Sequence, residues 1–134
     1  MSVQLKKQAI DLGIVTRNGP EMLAFYRDLL GFRHEADTPF GPTGMMHRLW
    51  CGDSMIKICV PDPEPAKDPE PGMIGQATGY RYWTMIVENL EEIVDDCVSA
   101  GRELVVPIKE IRDDVWIAIV ADPDGNLVEF VRYD

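Results

Sequence analysis

Hydrophobic and polar positions along the chain fall into one order of elements, written twice. Residues 9–16, AIDLGIVT, alternate well enough to predict a half-buried strand. Asn18 then stands where a helix cap is expected, with Pro20 and Glu21 in the first turn. Met22, Phe25, Tyr26, Leu29 and Leu30 recur at helical spacing, and Gly31 is placed to stop the helix. Three strand-like runs follow, Phe32–Asp37, Met45–Cys51 and Met55–Val60, the last two joined by the hairpin signal Gly52-Asp53. From Gly79 the order begins again. Residues 80–87, YRYWTMIV, predict a strand, and Asn89 with Glu92 has capping-box spacing. Leu90, Ile93, Val94, Cys97 and Val98 make an apolar helical face that ends at Gly101. The strands Leu104–Ile108, Val115–Ala121 and Leu127–Arg132 close the second copy, with the turn sequence Asp122-Pro123-Asp124-Gly125-Asn126 between the last two.

Gly31 and Gly101 occupy the same place in the two copies, and the predicted first strands keep the same offset to within a residue. That regularity marks an internal duplication of a βαβββ unit of about 55 residues. The expectation is an α+β fold of tandem βαβββ modules closing around one small-molecule cavity. The chain reads as a single domain: module 1 at 9–60, a proline-rich linker at 61–78 and module 2 at 79–133. Five prolines between Pro61 and Pro71 make the linker stiff and extended, and its downstream end, Met73-Ile74-Gly75, is a candidate lid.

Composition narrows the function. A length of 134 residues supports one core, and a net charge of −10 argues against nucleic acid, whose phosphates need a basic patch. No apolar run reaches the ~18 residues of a membrane span, and the first residues carry no secretory apolar stretch. Three cysteines, Cys51, Cys59 and Cys97, lie in apolar segments without paired spacing, which predicts reduced thiols and a cytoplasmic protein.

LAFYRDLLGF at 23–32 and DPDGNLVEF at 122–130, set at the ends of a duplicated βαβββ chain, resemble the vicinal oxygen chelate superfamily. That group includes glyoxalase I, methylmalonyl-CoA epimerase, extradiol dioxygenases, and fosfomycin- and bleomycin-resistance proteins. The resemblance implies a curved, barrel-like mixed sheet with helices outside, each module half a barrel around a divalent metal, with one ligand from the first and one from the last strand of each module. Carried over by position, those places are Asp11 and Tyr82 on the first strands, and Lys57 and Glu129 on the last. Family members usually have histidine at the first-strand places and glutamate or histidine at the last. Only Glu129 follows that pattern. A charged lysine has no lone pair to give, so no cofactor is expected; a weak divalent metal would fall to Asp11 and Glu129.

The resemblance then implies roles without a metal. Glu129 is the candidate general base, and Lys57 the positive charge that stabilises an oxyanion. Tyr82 is a donor to substrate, and Asp11 orients Lys57 or acts as a second acid–base group. The same charges can instead neutralise one another as a structural cluster. His47 shares a strand face with Met45 and Leu49, and contacts substrate if that face is the concave one; Cys59 shares the face of Lys57 and borders the cavity. His34 reads as a surface or edge residue, and Trp50, Trp83 and Trp116 as packing.

Three functions follow. One is a metal-independent isomerase, epimerase or lyase that moves a proton on an oxygenated metabolite. Another is a non-catalytic drug- or metabolite-binding protein of the bleomycin-resistance kind, and the third a metal-dependent lyase or dioxygenase. The partner expected is a small molecule, and the family implies a homodimer.

Overall fold

The computed structural model describes residues 1–134. It divides into two compact units, Met1–Ala66 and Lys67–Asp134, and the division falls inside the proline-rich linker. No helix is long and apolar enough to cross a membrane.

Unit 1 runs β1 (Asp11–Val15), α1 (Gly19–Leu23), β2 (Arg33–Phe40), β3 (Gly44–Cys51) and β4 (Ser54–Val60). Its sheet has the order β1-β4-β3-β2, with β1 parallel to β4 and the other pairs antiparallel. The parallel pair is what the intervening helix permits, since a hairpin cannot join parallel strands. The hairpin between β2 and β3 turns so tightly that a Cβ on Gly44 would lie 2.4 Å from the Phe40 carbonyl oxygen and 2.9 Å from that of Val60. Only glycine fits there.

Helix α1 continues as a π-helical segment, Ala24–Leu29, in which the Leu30 N–H reaches back five residues to the Phe25 carbonyl. This wider winding places Phe25 and Tyr26 together in the core, edge to face at 4.7 Å between ring centroids. Met22 is fully buried beside them, as its helical spacing predicts. The Asn18 side chain makes no cap hydrogen bond. Its backbone N–H instead donates to the Thr16 hydroxyl at 2.8 Å, and Pro20 removes one of the donors a cap would serve.

Unit 2 repeats the plan: β5 (Tyr82–Ile86), α2 (Leu90–Ser99), β6 (Leu104–Arg112), β7 (Val115–Ala121) and β8 (Leu127–Tyr133), in the order β5-β8-β7-β6. Helix α2 buries Leu90, Val94 and Cys97, while Val98, expected on the same face, is about half exposed. Asn89 also makes no cap bond; its amide donates to Glu92 at 3.3 Å, so the capping-box spacing gives a side-chain pair instead. Gly31 and Gly101, the paired helix stops, have φ of 82° and 81°. Strand β6 runs on past its expected end and contains Pro107; an edge position and irregular pairing with β7 accommodate the missing N–H.

Both sheets are mixed and four-stranded, as expected, but each is open and neither closes into a barrel by itself. The Asp122–Asn126 turn is tied by one buried carboxylate. Asp122 Oδ1 accepts from the N–H groups of Asp124 and Asn126, both at 2.9 Å, and Oδ2 accepts from the Asn126 amide at 2.8 Å. At the other end of unit 2, Ile74–Gln76 form a single exposed turn of 3-10 helix where a lid was expected. The Arg81 guanidinium holds the chain just before it, donating to the carbonyls of Glu70, Pro71, Gly72 and Met73 at 3.0–3.3 Å.

Candidate functional site

In unit 1 the register of β1, β4 and β3 assigns each candidate to a face. Asp11 pairs with Met55 and Gly13 with Lys57, so Asp11, Lys57 and Cys59 share one face of the sheet. Lys57 Nζ lies 3.3 Å from Asp11 Oδ2, and Lys7 Nζ lies 2.5 Å from Asp11 Oδ1. Two ammonium groups thus occupy the two oxygens of one carboxylate. The Lys7 hydrogen bond foremost holds the Asp11 carboxyl below its usual range; burial opposes it, and the Lys57 hydrogen bond adds to the lowering. Directly across from Lys57 on β3 stands Arg48, whose guanidinium is met by Glu35 at 3.3 Å. Trp50 lies two residues further on this face, with its indole N–H on Glu35 at 3.0 Å and Lys7 5.1 Å from its ring centre. Cys59 is buried, which pushes its thiol up, and its Sγ donates to the Lys57 carbonyl at 3.7 Å. It is an inert neighbour of Lys57 and not a nucleophile.

His47 lies on the other face. It pairs with Ile58, next to Leu49 and Ile56, and α1 packs on this side. A Cβ on Gly19 of α1 would meet Val60 at 3.1 Å and His47 Nε2 at 3.7 Å. The condition under which His47 would contact substrate beside Lys57 is therefore not met in unit 1, because the face it shares with Met45 and Leu49 is the helix side. Its partners are there. His47 Nδ1 donates to Asp37 Oδ1 at 2.7 Å, and His34 Nε2 donates to the same oxygen at 2.6 Å. His34, expected as a lone edge residue, is thus part of a three-residue cluster.

Unit 2 holds the other two candidates on one face of β5 and β8. Tyr82 pairs with Leu127 and is about half exposed, and Thr84 pairs with Glu129. The Thr84 hydroxyl donates to Glu129 Oε1 at 2.7 Å. By register Glu129 stands opposite Ile119 and between Leu127 and Val131, within an apolar cluster that also holds Val115 and Ile117. The nearest hydroxyl to Glu129 is that of Thr84, not Tyr82. Position 84 follows from the parallel register alone and had no signal in the residue pattern.

The four carried-over places thus resolve into two sets: Asp11 with Lys57 in unit 1, and Glu129 with Thr84 in unit 2, where Tyr82 shares the face. As a donor set for a divalent cation, Asp11 and Lys57 do not fit. An ammonium stands where a lone pair is needed, and the one carboxylate is engaged through both oxygens.

Comparison with known proteins supports the fold. The solved glyoxalase family protein from Bacillus cereus is similar over 98% of this chain and 96% of its own, with a TM-score of 0.83 at 16% identity. A glyoxalase family protein from Enterococcus faecalis matches with a TM-score of 0.67 at 22% identity over 96% of each chain. A lactoylglutathione lyase from Agrobacterium tumefaciens matches with a TM-score of 0.64 at 17% identity, over 92% of this chain and 91% of that one. At such identities these likenesses speak for the fold alone. No curated protein matches the sequence. The family model for the glyoxalase/bleomycin resistance protein/dioxygenase superfamily matches residues 9–130, nearly the whole chain, and the chain belongs to that superfamily.

Proposed function

We propose that this member is a small-molecule enzyme that moves a proton next to a carbonyl, by isomerase, epimerase or lyase chemistry, without a metal. The observation that carries this reading is Glu129: a carboxylate set among aliphatic side chains, with one oxygen oriented by the Thr84 hydroxyl at 2.7 Å. A carboxylate fixed in this way can take a proton from a bound carbon acid. In the proposed step the C–H bond beside the carbonyl breaks and its proton passes to Glu129. The electron pair moves to the carbonyl oxygen, where the phenol of Tyr82, on the same face of unit 2 as Glu129, donates to the resulting enolate. In unit 1, Asp11 holds the Lys57 ammonium by its 3.3 Å contact. Arg48 opposite Lys57 gives that face of unit 1 a second cation.

The test uses small 2-oxo acids in deuterated water, following solvent deuterium into the carbon beside the carbonyl. Glu129→Gln keeps an oxygen for the Thr84 hydroxyl but cannot take a proton. Exchange is expected to fall by about 10²–10⁴-fold. Exchange that is catalysed by the natural chain and unchanged in the variant would sink the proposal.

The aliphatic cluster around Glu129 also supports the second reading, a non-catalytic binding protein for an apolar ligand. Saturable binding with no exchange for any compound that binds would favour it. A homodimer and a cytoplasmic location are further parts of the proposal, the latter resting on three free thiols; light scattering on the purified protein measures the former.

A further inference from the structure

We propose that His34, Asp37 and His47 form a site for a first-row divalent cation, zinc foremost, on the α1 side of the β2–β3 hairpin. It lies on the opposite face of the sheet from Asp11 and Lys57. His34 Nε2, His47 Nδ1 and Asp37 Oδ1 all lie within 4.8 Å of one another. Two imidazoles and a carboxylate are a ligand set that zinc accepts, leaving a fourth position for water.

Backbone geometry, more than side-chain freedom, makes the convergence. His34 pairs with Leu49 and Ala36 with Arg48, so Glu35 is an extra residue bulged from β2. His34 and Asp37 are three positions apart, which in a regular strand would put them on opposite faces. The bulge restores them to one face, and the β2–β3 register sets His47 directly across from Asp37. On the far face Glu35 is pinned by Arg48 and Trp50. The two imidazole rings stand nearly perpendicular, 81° apart, with centroids at 6.0 Å. His34 and His47 are largely covered, while Asp37 is about half exposed.

Both rings now donate N–H groups to the same Asp37 oxygen, at 2.6 and 2.7 Å. A cation bound there replaces those two protons. Tetrahedral zinc, with ligands at ~2.0–2.1 Å, spaces its donors roughly 3.3 Å apart. Reaching that spacing takes a rotation of the Asp37 side chain away from the two rings and a closing of the rings on the ion. Arg27 is the element that opposes binding. Its guanidinium donates to His34 Nδ1 at 3.3 Å, which fixes the proton of that ring on Nε2, the atom the metal needs. Metal binding moves the proton to Nδ1 and displaces Arg27 onto its other partner, Asp28 at 2.8 Å.

The test is a titration of reduced, tag-free protein with zinc against a chromophoric chelator. One equivalent is expected to bind, and His34→Gln with His47→Gln together to weaken it by about tenfold or more. Arg27→Gln, whose amide oxygen can accept the Nδ1–H, is expected to tighten binding severalfold. Copper loaded in place of zinc should show two imidazole nitrogens in its paramagnetic resonance spectrum, and one after His47→Gln. Affinity unchanged in the double variant, no tightening in Arg27→Gln, or zinc lost instead on Cys51→Ser would each overturn the site.

Discussion

Single residues decide more here than their number suggests, and the two carboxylates that organise their surroundings behave differently. Asp122 is buried, and both its oxygens serve the turn that leads into the strand of Glu129. Asp122→Ala leaves two backbone N–H groups without their acceptor in a covered place. Urea unfolding is expected to show a loss of about 2–4 kcal/mol. Asp11 is more exposed, and its contribution depends on pH. Its carboxyl is held below the usual range by Lys7 and then Lys57. The stabilisation is therefore fully present above the unfolded carboxylate range and is lost as pH falls through the lowered folded value. Asp11→Asn should lower the melting temperature slightly at pH 7 and match the natural chain near pH 2. Asp11 and Glu129 were legible as candidates from position in the motifs. Thr84 was not, because a threonine in a strand carries no mark until a parallel register sets it against a carboxylate.

At the scale of elements, the residue pattern located every strand and both α-helices, since apolar period and turn chemistry agreed in both copies. What it missed were departures from regular winding. The π-helical turn after α1 keeps the same apolar residues a helix would, so periodicity does not report it. The bulge in β2 likewise leaves no trace in composition, yet it decides which face His34 joins. Simple alternation therefore separates His34 from Asp37 and hides the cluster. The linker is another such case. Its prolines announce stiffness, but residues 70–73 are held by one side chain, Arg81, whose guanidinium spans four successive carbonyls. Arg81→Met releases them. Thermolysin, which cuts before Met73 and Ile74, should then cleave the chain there markedly faster, as followed by mass spectrometry; an unchanged rate would show that Arg81 does not hold the segment.

For the whole molecule, duplication explains the fold and its breaking bears on the chemistry. Both units repeat one strand order, with equivalent parallel pairs and equivalent helix stops. The equivalent positions on the last strands nevertheless carry opposite charges, Lys57 in one unit and Glu129 in the other. Fold was readable from sequence because it depends on pattern, which the repeat states twice. The site was only partly readable, because it depends on which face a strand turns and on which partner lies across it. His47 illustrates this: alternation grouped it correctly with Met45 and Leu49, but only the packing of α1 told which side that group faces.

The bulged Glu35 gives β2 one residue more than its ladder uses. In regular pairing, removing a residue inverts the facing of everything on one side of the cut. Excising Glu35 alone would instead leave His34 two places from Asp37 and still on its side of the sheet. The strand thus has a single point at which its length can change by one while the histidine pair survives, and any lineage that shortens this hairpin without losing the cluster has that one route open to it.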